Sequence, residues 1–387
     1  MKWRIVLSLY EIISRNAMIM NLRAYLKTSI IPTSIPCLSD EVQGQLIFEN
    51  SANYSKRLNY VDYAKGLAIL LVVSGHVIYH CIFNRDNGAS YNLGLFYVLQ
   101  LIEMPLFMFL SGLVVRTRYQ NGKNTLIDCY RKFRVLLVPF IFVGLTFTLF
   151  QGYSLDNFFL HSMKRGYWYL QALFDLYLIH YSFQGIVNLL PRKFQMISDI
   201  VLFFILSFLS IIFKEWVGDV SVLVILGIDK VVMYFPIFYS AVLINKYELQ
   251  KYIFGSEKIH FISLFILLTL GILAIWDIKV KGKDYIMMLF GIITILCTLY
   301  KYNNKKGVVV DFVCYIGRKT LDIYIFHFFI IGFTSLEFLS GIMIKYNSLF
   351  LSCCIVFPIS FLIIFISIIL GKIIRQNAIL NHLIFYK

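Results

Sequence analysis

Two ionisable residues, Lys65 and His76, lie eleven positions apart in the apolar stretch DYAKGLAILLVVSGHVIYH, residues 62–80. On an α-helix this spacing returns to within about 20° of the same direction, so the two side chains share one face at depths about 16 Å apart. Asp62 and His80 fall near the same stripe. Because an ionisable group facing lipid costs several kcal/mol, we expect the stripe to face a protein interior or a wet cavity.

His76 is the residue on this stripe best placed for chemistry, because it lies deeper than the others and an imidazole changes charge near neutral pH. Its i,i+4 spacing to His80 is also that of a metal-binding helix. No acidic residue in the HExxH manner lies between them and no third ligand is evident, so we expect no metal. Asp62 and Lys65 are equally well explained as a local i,i+3 pair, and His80 as a solvated residue near the membrane surface.

The elements that must position these residues are membrane-spanning helices. The chain of 387 residues is 59% hydrophobic and 15% charged, with a mean hydropathy of +0.75, unlike a soluble globular domain. Strand-like alternation is absent, which disfavours a β-barrel. Apolar runs near the length of about 20 residues that a membrane-spanning helix needs predict an all-α integral membrane protein with about ten helices in a single bundle. The predicted spans are 62–81, 93–115, 135–152, 167–189, 198–214, 220–244, 259–276, 285–301, 320–339 and 348–371.

Basic residues are spread over the loops between these spans. The net charge is +15, but no soluble domain gathers the charge, so we expect no nucleic-acid partner. If the N-terminus is inside, the inner segments hold 26 Lys and Arg and the outer loops hold eight, with Lys301 and Lys214 at span ends included. This asymmetry predicts that both termini are cytoplasmic. The seven cysteines show no C-x-x-C or metal spacing and indicate neither redox chemistry nor zinc.

We predict three parts along the chain. Residues 1–57 form a basic cytoplasmic or membrane-surface extension, for which a later start at Met18 or Met20 is an alternative. Residues 58–375 form the membrane domain, and residues 376–387 form a short cytoplasmic tail.

Other polar residues fall inside predicted spans. Glu103 should sit near mid-depth in the second span, where a lone carboxylate is costly unless it is paired or protonated. His327 lies about 10 Å into the ninth span by helical rise. Both are candidates for function, whereas Asp175 and His180 in the fourth span are weaker ones.

Four segments, taken in order, resemble the acyltransferase-3 family of membrane O-acyltransferases, and within it the fucose 4-O-acetylase-like branch. The likeness runs from about residue 57 to 371 and includes a basic residue, ten intervening residues and a histidine, here Lys65 and His76. The RKFR sequence, Arg131 to Arg134, is similar to the family's R-x-x-R motif. Glu103 departs from the histidine that many members carry. The four segments are DYAKGLAILLVVSGH, MPLFMFLSG (104–112), YWYLQALFDLYL (167–178) and IGRKTLDIYIFH (316–327).

This resemblance implies a multi-pass protein of the bacterial inner membrane. It would move an acetyl group from acetyl-CoA to a sugar hydroxyl of a surface polysaccharide, glycolipid or precursor. A sugar hydroxyl is a poor nucleophile, and His76 suits the role of its general base. Arg131 and Arg134, with Lys65 as a possible third cation, could bind the phosphates of acetyl-CoA. Ser111 and Tyr324 are candidate donors to the developing oxyanion.

Two alternatives stay open at this point. A transporter or flippase of polysaccharide precursors would also need many helices and buried charges, although the sequence shows neither internal repeats nor paired interrupted helices. The chain could also pass acetyl groups to a separate partner that completes the transfer. The oligomeric state is open as well.

Overall fold

The computed structural model describes residues 59–85, 93–115, 122–219, 221–275, 283–303 and 307–385, all within the compact unit Asn59–Lys387. These ranges are predominantly helical and contain no strand, which confirms the predicted all-α class. The predicted extension, residues 1–57, lies outside the described residues.

The helices follow the apolar runs of the sequence and end at polar or glycine-containing loops. Two π-helical segments, Val77–Ile82 and Phe133–Leu137, extend α1 and join α3 to α4. The helices are α1 Asn59–His76, α2 Gly94–Leu113, α3 Gly122–Lys132, α4 Val138–Phe150, α5 Leu155–Leu160, α6 Trp168–Val187, α7 Arg192–Asp219, α8 Ser221–Ile225, α9 Ile228–Lys246, α10 Gln250–Phe254, α11 Glu257–Ile275, α12 Lys283–Lys301, α13 Val308–Arg318, α14 Thr320–Ile331, α15 Ser340–Tyr346, α16 Leu349–Ile374 and α17 Ala378–Phe385.

Among the described residues, seven segments are long and apolar enough to cross a membrane, so the chain is a multi-pass membrane protein. Helices α6, α11 and α14 occupy the positions of the three other predicted spans. The total of ten spans and the cytoplasmic termini remain predictions. The seven segments are Asn59–Ile82, Gly94–Leu113, Thr125–Phe150, Lys193–Ser210, Ile228–Lys246, Lys283–Lys301 and Leu349–Ile374.

Three predicted boundaries are wrong. The third span, predicted as 135–152, belongs to a longer helical segment, because a π-helical turn continues α3 into α4. The fifth, predicted as 198–214, extends over all of α7. The ninth, predicted to reach residue 339, ends at Ile331, where Gly332 follows and the chain turns toward a short 3₁₀ segment.

Helix α1 lies inside the bundle and contacts α2, α12, α13, α14 and α16. Its approach to α13 depends on two glycines. A Cβ atom on Gly66 would lie 2.1 Å from the backbone oxygen of Val313, and one on Gly317 would lie 1.9 Å from that of Asp62. Small residues of this kind let helix backbones come close inside membranes. The first half of α1, which carries Lys65, is therefore held tightly against α13.

Polar contacts hold α14 and α1 against α16. Asp322 on α14 is buried, and Arg375, just after α16, donates to it through both terminal nitrogens, with Nη1 at 2.7 Å from Oδ2. Ser74 on α1 donates to the Ser360 hydroxyl at 3.0 Å. These contacts fix the two helices that carry His76 and His327.

The predicted tail, residues 376–387, includes a helix that packs on the bundle. Helix α17 contacts α4. Its Phe385 ring lies 3.7 Å from the guanidinium of Arg375. The end of the described chain thereby covers the Asp322–Arg375 pair.

We predict that Gly317→Ala lowers the free energy of unfolding by about 1–3 kcal/mol, because the added methyl group meets backbone atoms of α1 that cannot move aside. The matched control is Gly271→Ala in α11, where a Cβ atom meets nothing within 4 Å. That change should be neutral or stabilising, by up to about 1 kcal/mol. Thermal unfolding of both variants in detergent micelles measures the difference, and equal midpoints would contradict the close α1–α13 contact.

Candidate active site

Helix α1 changes its hydrogen-bonding pattern at His76. The α-helix ends there and a π-helical segment covers Val77–Ile82. Residues four apart lie on the same side of either kind of helix, and π-helical segments are frequent at functional sites. His80 accordingly lies on the same side as His76, with the two ring centroids 5.5 Å apart.

Three histidines and one phenylalanine form a cluster, which we call the histidine cluster: His76, His80, His327 and Phe328. The His76 and His327 rings stack with centroids 5.4 Å apart and planes at 27°. Phe328 lies 4.7 Å from His76 and 5.9 Å from His80, measured between ring centroids. The structure thus brings His76 and His327 together, whereas His80, expected to be a solvated residue apart from the site, is half-buried within the cluster.

His327 is fully buried, and its hydrogen bonding defines its tautomer. Nδ1 lies 3.0 Å from the backbone oxygen of Ile323. Because a carbonyl oxygen only accepts hydrogen bonds, Nδ1 carries the hydrogen and Nε2 keeps a lone pair. Nε2 is buried and has no hydrogen-bond partner among the described residues. It can therefore accept a hydrogen bond or a proton from a bound molecule.

Glu103 on α2 is 4% exposed and approaches α1 beside His76. A Cβ atom on Gly75 would lie 2.6 Å from Glu103 Oε2, so the glycine makes the room that this carboxyl occupies. Oε2 has no hydrogen-bond partner among the described residues, and within the same residues no ion pair joins Glu103 to His76. Among the described residues, Glu103 is thus a buried carboxyl group beside His76 with no ion pair to it.

The two candidate oxyanion donors are already engaged in hydrogen bonds. Tyr324 donates to the backbone oxygen of Gly166 at 2.9 Å. Ser111 donates to the Phe107 oxygen at 2.8 Å and so accepts from the Tyr169 hydroxyl, also at 2.8 Å. These bonds hold the aromatic side of the site in place, and neither hydroxyl has a hydrogen left to donate.

The basic candidates lie on α1 and on the helical segment that runs from α3 into α4. Arg131 pairs with Asp128 at 3.5 Å, and its side chain is 49% exposed. Arg134 contacts His382 on α17, with Nη2 at 2.5 Å from Nε2. Lys65 is half-buried on α1, three turns before His76.

The sequence did not reveal a second polar group between α6, α7 and α9. Lys246 forms an ion pair with Asp199 and donates to Gln184 at 2.7 Å. Tyr247 donates to Asp199 at 2.6 Å. Nearby His180 is 1% exposed, and neither of its ring nitrogens has a partner among the described residues. The residue types were visible in the sequence, but the pairing joins positions that are far apart along the chain.

Asp175, the other weak candidate, is half-buried on α6, and its Oδ2 has no hydrogen-bond partner among the described residues. Within the described ranges, no group of three or more His, Cys, Asp or Glu side chains is arranged to hold a metal ion.

These features define a multi-pass membrane protein whose helices enclose a histidine cluster next to a buried carboxyl group. The family model for an acyltransferase domain, acyltransferase-3, matches residues 58–373, so the chain belongs to this family and is a membrane acyltransferase. Searches among curated proteins and among solved structures gave no significant match. The fucose 4-O-acetylase-like branch remains a prediction.

We predict energetic coupling between Gly75 and Glu103. Gly75→Ala should displace the Glu103 carboxyl group and lower acyltransferase activity, because the new methyl group would take the space of Oε2. In a Glu103→Ala background, Gly75→Ala should have no further effect, since the space is then empty. A double-mutant cycle on activity and thermal stability measures the coupling, expected at about 0.5–3 kcal/mol. Additive effects would show that the two residues act independently.

Proposed function

We propose that the chain is a membrane-bound O-acetyltransferase. It moves an acetyl group from acetyl-CoA to a sugar hydroxyl of a surface polysaccharide, glycolipid or precursor, in the bacterial inner membrane. The family supports acyl transfer, which favours this function over the transporter or flippase. The observation that carries the proposal is the stacked pair of His76 and His327, because it offers two imidazoles and an unpartnered Nε2 inside the bundle.

His76 is the general base in this proposal. It takes the proton from the acceptor hydroxyl as the oxygen forms a bond to the thioester carbonyl carbon. The carbon–sulfur bond then breaks, and the CoA thiolate leaves and takes the proton from His76. The imidazole returns to its neutral form, so protons and charge balance over the cycle. His76 is half-buried, which leaves part of its ring accessible to an acceptor.

His327 positions the acceptor. Its Nδ1 is held by the Ile323 oxygen, so the direction of Nε2 is fixed. A sugar carries several hydroxyls, and Nε2 can accept a hydrogen bond from one of them while His76 acts on another. Phe328 lies against both rings and keeps this part of the site apolar.

Acetyl-CoA enters from the end of the bundle that carries Lys65, which the charge pattern predicts to be cytoplasmic. Arg131 and Arg134 are the proposed phosphate ligands. The partial exposure of Arg131 supports this role, because its guanidinium is open to a ligand despite the pair with Asp128. The distance between Lys65 and His76, about 16 Å along the helix, places the phosphates and the reacting carbonyl at opposite ends of one wall.

We predict different losses for the two histidines. His76→Ala should lower kcat by about 10²–10⁴-fold, as expected for loss of general-base catalysis. His327→Asn keeps a side-chain N–H for the Ile323 oxygen but lacks Nε2. It should raise KM for the acceptor by about tenfold, because one hydrogen bond to the acceptor is lost. Transfer of labelled acetyl from acetyl-CoA to glycan, with the purified protein in nanodiscs, measures both.

The matched control for the histidines is His260→Ala on α11, whose Nε2 lies 3.1 Å from the Thr298 hydroxyl, away from the cluster. It should leave transfer unchanged. NMR of surface polysaccharide from the deletion strain, the complemented strain and the His76→Ala strain tests the same proposal in cells. Undiminished O-acetyl signals in the His76→Ala strain would refute the role of His76.

We predict that Arg134→Gln raises KM for acetyl-CoA by about tenfold or more, because a charge-assisted hydrogen bond to phosphate is lost. Lys193→Gln is the control, since this exposed lysine lies over its neighbour Phe194. Kinetics with varied acetyl-CoA at saturating acceptor measures the change. A lower thermal stability of Arg134→Gln with an unchanged KM would instead show that the arginine only holds α17 through His382.

A further inference from the structure

Four basic residues lie near His161, which directly follows α5: Arg85, Lys164, Arg165 and Lys230. We call them the basic rim. They come from three separate segments, yet all four act on one imidazole, His161. Burial lowers the pKa of His161, and the charges of the four cations lower it further. Cations from three separate segments therefore lie within electrostatic reach of one imidazole.

Two members of the rim, Lys230 and Lys164, already have ion-pair or hydrogen-bond partners. Lys230 pairs with Asp229 at 3.1 Å. Lys164 is buried and donates to the backbone oxygens of Phe159, at 2.5 Å, and Val224, at 3.0 Å. Its role is to tie α5 to α8, while Lys230 is neutralised by its neighbour.

Arg85 and Arg165 are different, because neither forms an ion pair with a carboxylate among the described residues. Arg165 packs on the exposed side chain of Tyr153. The Arg165 guanidinium lies 3.6 Å from the centre of the tyrosine ring. A hydrogen bond from Arg85 is the main cause that lowers the pKa of Tyr153. Arg165 also donates to the side-chain oxygen of Asn157, and Arg85 donates to His80, so both guanidinium groups have neutral partners and no described counter-charge.

The backbone under both arginines is strained. Arg85 has φ of 67° and Arg165 has φ of 52°, in the left-handed region that side chains other than glycine disfavour. Lys164 and Gly166, on either side of Arg165, also have positive φ, at 45° and 100°. Such strain persists where the surroundings enforce it, and it is concentrated at ligand-binding sites. Holding both arginines in this backbone conformation costs conformational free energy.

The rim is in direct contact with the histidine cluster. Arg85 Nε donates to His80 Nδ1 at 3.4 Å, and the His80 ring lies 5.5 Å from that of His76. A Cβ atom on Gly166 would lie 2.3 Å from the Phe328 ring, so the turn that carries Arg165 rests on the cluster. An anion bound by the two arginines would lie next to the reacting groups.

We infer that the acceptor is anionic, and that Arg85 and Arg165 together bind a carboxylate or phosphate on the acetylated sugar or its neighbour. This inference rests on the proposed function. Guanidinium groups match the geometry of both anions, and two of them give a bidentate site. Lipid headgroups are the competing anions, but Arg85 donates to a histidine of the active site, which favours the acceptor.

The experiment uses surface polysaccharide from a strain that lacks the chain, in three forms: native, carboxyl-reduced and dephosphorylated with hydrofluoric acid. The purified protein in nanodiscs transfers labelled acetyl to each form. We expect carboxyl reduction or dephosphorylation, whichever removes the recognised anion, to lower kcat/KM for wild type by about a hundredfold, as two charge-assisted bonds are lost. Arg85→Gln and Arg165→Gln should each lower kcat/KM by about tenfold on native glycan, and have little effect on the form without the anion.

The matched control is Lys345→Gln, an exposed lysine at the end of α15 that lies over its neighbour Tyr346. It removes the same charge without touching the rim and should behave as wild type. The inference is overturned if wild type acetylates all three forms equally, or if the arginine variants lose activity equally on all three. It is also overturned if their loss depends on the anionic lipid content of the nanodisc rather than on the acceptor. Absence of transfer to every form by wild type would instead refute the proposed function.

Discussion

The fold depends on one constraint: a polar or charged side chain inside an apolar helix bundle must meet a partner in the protein or line a cavity, because lipid offers none. Arg375 meets Asp322 in this way, and Lys246 meets Asp199, so each pair also fixes two or three helices relative to each other. Two buried polar atoms near the site do not follow this rule. Glu103 Oε2 and His327 Nε2 are buried without a partner among the described residues, and both lie near His76 on α1. Unsatisfied buried polar atoms are rare in native proteins and concentrate where a ligand completes the arrangement.

The sequence predicted much of this because some of the signals are local. A run of apolar residues identifies a span without knowledge of its neighbours, and the eleven-residue spacing of Lys65 and His76 defines a shared face from helix geometry alone. His327 was a candidate for the same reason, as an ionisable group within a span. Its stacking on His76 could not be predicted, since that contact depends on how α14 packs against α1. The same holds for Glu103: the sequence shows a buried carboxyl group, but only the packing shows that Gly75 provides its space.

The wrong predictions have a common physical cause, because hydropathy measures what a helix would do in lipid rather than in contact with other helices. Helix α3 is polar, with the sequence GKNTLIDCYRK, yet it continues into α4 as one helical segment, since Asp128 is buried against protein. His80 was assigned to solvent by its position near the end of a span. It lies on the same face as His76, and its contact with Phe328 depends on how α14 packs against this end of the helix, which the sequence does not show.

The two halves of α1 make different kinds of contact. Its first half is locked by close glycine contacts with α13, which leaves little freedom around Lys65. His80, in the π-helical segment that extends α1, contacts Arg85 and Phe328. Phe328 in turn contacts the strained turn that carries Arg165. These turns are loops, and loops tolerate change of sequence far better than a packed helix interface does. Under the proposed function, a different acceptor requires new residues only in the turns, while His76, His327 and the packing that orients them stay as they are. With His76 as the proposed base between the fixed half of the helix and these turns, one chemistry can serve several acceptors.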